Sequence, residues 1–104
     1  MLPGKIAAQA SHAACQSLMY ALRLQPELLE SFLAAQNSGT RLVLRAPRPW
    51  HLHDAYDAAT RLALPCALFH DSGPGIPEPI LTACAIGPAP RDLISPIIKR
   101  FNCV

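Results

Sequence analysis

Between Lys5 and Leu24 the chain reads as one long helix, opened by Pro3-Gly4. On such a helix each residue advances about 100°, so Lys5, Gln9, His12 and Gln16 fall within an arc of roughly 60°. Ile6, Ala7, Ala8, Ala10, Ala14, Cys15, Leu18, Met19, Ala21 and Leu22 cover most of the remaining surface. A helix that is apolar nearly all round is expected inside a domain. An ammonium, two amides and an imidazole held in line there cost desolvation, and that cost calls for a purpose.

With 104 residues there is room for one compact core and no second one, so residues 1–104 are expected to form a single domain. Apolar residues make up 51% and charged residues 15%, a balance that excludes a disordered chain. The net charge of +2 excludes little by itself. Two basic clusters, Arg41/Arg45/Arg48 and Lys99-Arg100, can each touch phosphate, although a solvated rim is the commoner meaning of so few charges. Cys15, Cys66, Cys84 and Cys103 are too scattered for a zinc site. Three of them lie beside alanine in apolar runs, as buried free thiols do, which favours a reducing compartment over a disulfide scaffold. The Ala-rich start imitates a secretory leader, but Gln9, His12 and Gln16 interrupt any hydrophobic region. No run approaches the roughly 18 apolar residues of a membrane span. A soluble, cytoplasmic protein without membrane partners is expected.

The rest of the chain is well punctuated. Pro26 suits the first turn of a second helix, with Asn37-Ser-Gly39 as its stop. Thr40–Ala46 reads as a strand ended by Pro47 and Pro49, and Trp50–Leu62 as a third helix. Cys66–His70 and Ile80–Ile86 read as short apolar strands joined by a proline-stiffened loop, Asp71–Pro79. Arg91–Phe101 reads as a last helix kinked by Pro96. The order α-α-β-α-β-β-α indicates an α/β domain of three α/β/α layers around a small mixed sheet.

The polar line places a cation near a helix N-terminus, whose free N–H groups and partial positive charge suit an anionic or carbonyl ligand. Read by itself, the line is as well explained by a solvated Lys5 and a hydrogen-bonded core His12. Asp71 ends a strand at the start of a Gly/Pro loop, where ligands of open α/β sheets gather, and where an Asx-turn is equally at home. Thr82, alone among apolar neighbours, reads locally as packing. His51 and His53 diverge on a helix, so no metal is expected there. No phosphate loop, dinucleotide fingerprint or nucleophile elbow is present.

The stretch Gly4-Lys5-Ile-Ala-Ala-Gln9-Ala-Ser-His12-Ala-Ala resembles the signature helix of the type 2 (archaeal and eukaryotic) peptidyl-tRNA hydrolases. The resemblance continues in order. Arg41-Leu-Val-Leu-Arg-Ala is similar to that family's second strand, and His70-Asp71-Ser-Gly73 to its Asp-Ala-Gly. Leu81-Thr82-Ala-Cys-Ala-Ile-Gly87-Pro88 resembles its final strand, and Arg91-Asp-Leu-Ile94 the opening of its last helix. The resemblance implies hydrolysis of the ester between a peptide and the 3′ end of tRNA, without a cofactor or metal. It implies Lys5, Asp71 and Thr82 as catalytic residues and Gln9 and His12 as substrate-binding ones. Asp71 would orient or deprotonate water, Lys5 would balance its charge and stabilise the oxyanion, and Thr82 would position water or a ribose hydroxyl.

Two departures stand out. Where the family continues Asp-Ala-Gly with Arg-Thr, Gly73 is followed here by Pro74-Gly75, in a loop one residue shorter. This favours an alternative, a weakened or inactive hydrolase-like domain that binds tRNA, a nucleotide or a protein. The family also has a strand before the signature helix, whereas four residues precede Lys5. The expectation is either a start further upstream or a sheet short of one strand, with an open edge for another chain and a homodimer among the assemblies allowed.

Overall fold

Helix α1 spans Pro3–Leu24 and α2 spans Pro26–Ala34 in the computed structural model, which describes residues 3–34 and 42–103. There follow β1 (Leu44–Arg45), α3 (Pro49–Arg61), β2 (Cys66–Gly73), β3 (Ile76–Ile86), α4 (Arg91–Ile98) and β4 (Asn102–Cys103). The expected order holds, with β4 added. α4 ends at Ile98 where a helix was expected to run on to Phe101, and the two residues of β4 beyond it pair with β1. The expected Asn37–Gly39 stop, and Thr40-Arg41 at the start of the Thr40–Ala46 strand, lie outside the described residues.

The α/β class stands, and the sheet is antiparallel where a mixed one was expected. Among the described residues β1 pairs with β4 and β2 with β3, both antiparallel, as two two-stranded ribbons. The expected nine-residue loop is also replaced. β2 and β3 run on past the apolar core and turn at Pro74-Gly75 alone, with Gly73 paired to Ile76. Proline second and a glycine at φ +82° third is the combination a tight turn needs. Pro77 and Pro79 are tolerated because a two-stranded ribbon has open outer edges, where the missing N–H leaves no partner wanting.

Successive residues of the hairpin alternate between two layers. Cys66 faces α3, its Sγ 3.5 Å from Thr60 Oγ1 and 4.0 Å from the Tyr56 carbonyl oxygen. Phe69 faces α1, where the His12 ring stacks on it. Helices therefore cover both faces of the ribbon. On the α3 side, Ala55, Ala59, Leu64, Cys66 and Ile97 form the core, with Ile86 and Ala89 packed against them.

The α1 side corrects the picture of an internal helix. Its buried residues are Gln9, Ala13, Ser17 and Ala21, a single line of small or slender side chains. Lys5, His12 and Gln16 are exposed, as are Leu18, Met19 and Leu22. A narrow ribbon covers only one strip of a helix, so the polar line borders the contact instead of lying buried in it. Ser17, 2% exposed, ties that strip to the end of the hairpin by donating to the Gly87 carbonyl oxygen at 2.5 Å.

Cys15 is exposed, against expectation, for the same reason. Cys84 is partly buried in the ribbon, and burial, with Cys66 adding to it, pushes its thiol up to about 12. At pH 8 the Cys84 thiolate is therefore scarce and Cys15 should be alkylated first, as mass spectrometry of a brief iodoacetamide pulse will show. The same shift fixes a pH window. The unfolded thiol ionises from about pH 9 while the folded one stays protonated up to about 12. Stability is thus intact below pH 9 and falls between 9 and 12. Denaturant midpoints across that range will decline less steeply in Cys84→Ala. No helix among the described residues is long and apolar enough to cross a membrane.

Candidate active site

The first turn of α1 carries no acidic residue and does carry Lys5, a cation placed against the positive end of the helix dipole. Its counter-charge comes from the hairpin. Lys5 Nζ lies 3.6 Å from Asp71 Oδ2, with side chains 54% and 21% exposed. At that distance and exposure the pair contributes under about 1 kcal/mol to folding. What it achieves is a partly exposed carboxylate next to an ammonium on the first turn of α1.

One turn along, Gln9 is buried against the same ribbon. Thr82 Oγ1 donates to Gln9 Oε1 at 3.1 Å, with the Phe69 carbonyl oxygen a further acceptor at 3.4 Å. A hydroxyl has one hydrogen, so the shorter contact takes it. The Gln9 amide is thereby oriented with its NH2 left to donate. His12, on the next turn, lies flat on Phe69 with ring centroids 4.6 Å apart and planes 10° from parallel.

Strict alternation would point Thr82 away from this group. Counting back from Ile86, opposite Cys66, even-numbered residues of β3 share the α3 face. Between Phe69↔Ala83 and His70↔Leu81 the register slips by one, leaving Thr82 unpaired in a β-bulge. The bulge turns Thr82 towards Gln9, as bulges beside active sites do. Asp71 is also not at a strand end as expected. It pairs with Ile80 inside the hairpin, next to a second irregularity before Gly73.

All five expected residues therefore meet on one side of the ribbon: Lys5 with Asp71, Gln9 with Thr82, and His12 beside them through Phe69. Phe69 and Ser17 were missed. Phe69 is two residues before Asp71 and shares its face, a signal available from alternation alone. Ser17 lies two turns beyond Gln9 on the line of contact and looked like any serine in a helix. Gln16 is exposed and joins nothing here. Groups of three or more potential metal ligands are absent among the described residues.

Comparison with known proteins identifies the family of the whole chain. Residues 1–104 match the family model described as Peptidyl-tRNA hydrolase PTH2. The peptidyl-tRNA hydrolase of Methanococcus vannielii is 35% identical over 101 residues, covering 95% of this chain and 84% of that protein. That of Thermococcus onnurineus is 34% identical over 103 residues, covering 97% and 85%. That of Methanocaldococcus jannaschii is 33% identical over 100 residues, covering 95% and 85%.

Proposed function

The chain belongs to the PTH2 family of peptidyl-tRNA hydrolases, and from that premise we propose that it hydrolyses the ester joining a peptide to the 3′ end of tRNA, with Lys5, Asp71 and Thr82 as catalytic residues. The observation that carries the site is the meeting of Lys5 and Asp71, 66 residues apart in the sequence, beside the N-terminus of α1. Asp71 takes a proton from the attacking water as its oxygen bonds to the ester carbon, and the tetrahedral oxyanion forms against Lys5 and the first turn of α1. Collapse of the adduct breaks the C–O bond while Asp71 returns the proton to the departing 3′ oxygen of tRNA. Thr82, its hydrogen given to Gln9, accepts from the attacking water or a ribose hydroxyl and so positions it, while the Gln9 NH2 donates to a substrate carbonyl. His12, flat on Phe69, lines the binding groove. Release of labelled peptide from peptidyl-tRNA by the purified chain tests the reading, and no release above the uncatalysed rate refutes it.

Thr82→Val keeps the side-chain shape and removes the donor to Gln9. It should lower kcat/KM for peptidyl-tRNA about tenfold, the worth of one hydrogen bond, while Thr82→Ser restores most of the rate. Equal rates in all three proteins would free Thr82 from the site. Two further parts of the reading follow from its substrate and surface. The compartment is the cytoplasm, where translation supplies peptidyl-tRNA. The assembly is a homodimer, with the open apolar face of α1 (Leu18, Met19, Leu22) as the surface on offer. Sedimentation equilibrium distinguishes one chain from two.

A further inference from the structure

Pairing of β1 with β4 sets Arg45 opposite Asn102 and so brings together two basic clusters that lie far apart in sequence. Arg45, Arg100 and Phe101 line one shallow pocket with Pro47, His51 and Asn102. Arg100 sits over the Phe101 ring, 5.1 Å from its centroid. The His51 ring meets Phe101 edge-on at 5.9 Å, and its other neighbour is Trp50, stacked at 3.9 Å and 22°. His51 is held there because its Nδ1 accepts the Arg48 N–H at 3.2 Å at the start of α3. The result is a braced row of rings ending in Trp50, 57% exposed, with Arg45 and Arg100 lining the pocket beside it and the exposed Arg48 immediately before α3.

Nothing in the proposed hydrolytic step uses this patch, and it is expensive to keep as a mere rim. Among the described residues no carboxylate forms an ion pair with Arg45, Arg48 or Arg100. A large indole facing solvent offers stacking to any base, while guanidinium groups suit phosphate in a bidentate fork. The positive end of α3 adds to the same field. Asp54 and Asp57 line a neighbouring hollow with Arg61 and Arg100, so an anion is turned away from that side and kept on the Arg45–Arg48–Arg100 side.

We infer that this basic and aromatic patch at the β1–β4 pair and the start of α3 is an RNA-binding site. There Trp50 stacks on an unpaired base and Arg45, Arg48 and Arg100 hold its flanking phosphates. The inference rests on the peptidyl-tRNA reading only in naming tRNA as the RNA. The patch belongs to the opposite layer from Lys5 and Asp71, but the molecule measures 41 × 27 × 26 Å, so one folded RNA reaches both.

The test measures binding of deacylated tRNA by the full chain, wild type against Trp50→Ala, Arg45→Ala/Arg100→Ala and, as a control for charge alone, Arg23→Ala at the exposed end of α1. The double arginine variant should bind about tenfold more weakly and with a flatter dependence on salt, and Trp50→Ala several-fold more weakly with the salt dependence kept. Arg23→Ala should match wild type within twofold. In the esterase assay the double arginine variant should raise KM for peptidyl-tRNA about tenfold and Trp50→Ala several-fold, with KM for a short N-acylaminoacyl ester of adenosine unchanged in both. Wild-type tRNA affinity in the patch variants, or equal penalties on both substrates, overturns the inference. So does a loss of binding to anionic vesicles or a phosphopeptide with tRNA binding intact. A wild-type chain that binds tRNA through the patch but releases no peptide refutes the hydrolytic reading and leaves the patch standing.

Discussion

Asp71→Asn lowers kcat/KM for peptidyl-tRNA by about 10²–10³-fold while leaving the melting temperature within a few degrees of wild type. The size follows from what a positioned general base supplies to a hydrolytic step. Asparagine keeps the volume and one acceptor oxygen and loses the charge and the basicity. Stability is spared because the Lys5–Asp71 pair is long, 3.6 Å, and largely open to water. Lys5→Ala should fall by a similar factor through the loss of oxyanion stabilisation, again with the fold intact. Combining the two should cost much less than the product of the single losses, since each residue's work depends on the other. Steady-state rates and a thermal melt on the same samples check this. Unchanged rates in either single variant remove that residue from the chemistry, and a collapse of Tm would make the pair structural.

Ala13→Leu should produce the largest loss of stability from a single apolar change. Ala13 is fully buried in the strip where α1 meets the hairpin, between Gln9 and Ser17. Leucine there forces the helix off the ribbon, a cost of about 2 kcal/mol. For a chain of this size that lowers Tm by roughly 10 °C. The same displacement pulls Gln9 away from Thr82 and Lys5 away from Asp71, so turnover falls in the surviving folded protein. Ala14→Leu, one residue along and exposed, should leave both within error. Equal melting temperatures for the two variants would show that α1 does not rest on this strip.

Most of the helical frame was legible because helices declare themselves locally. α1 and α3 begin within two residues of their expected starts, at prolines. The hairpin was harder, since Asp71–Pro79 has the composition of a loop. Its strands are revealed only by each other, through Gly73↔Ile76 and Asp71↔Ile80. The burial of α1 was misjudged because periodicity reports which face is apolar and not how wide a surface arrives to cover it.

What lay in the sequence by itself was the line Lys5–Gln9–His12, since helix geometry alone aligns residues three and four apart, together with the identity of the groups that partner it. The tertiary structure decided the rest. A single unpaired residue in β3 turned Thr82 from the α3 face to Gln9, and pairing of two residues of β1 with two of β4 set Arg45 beside Arg100. Both depend on register between distant segments, which no local preference specifies, because a slip of one residue exchanges every side chain between the two faces of a strand.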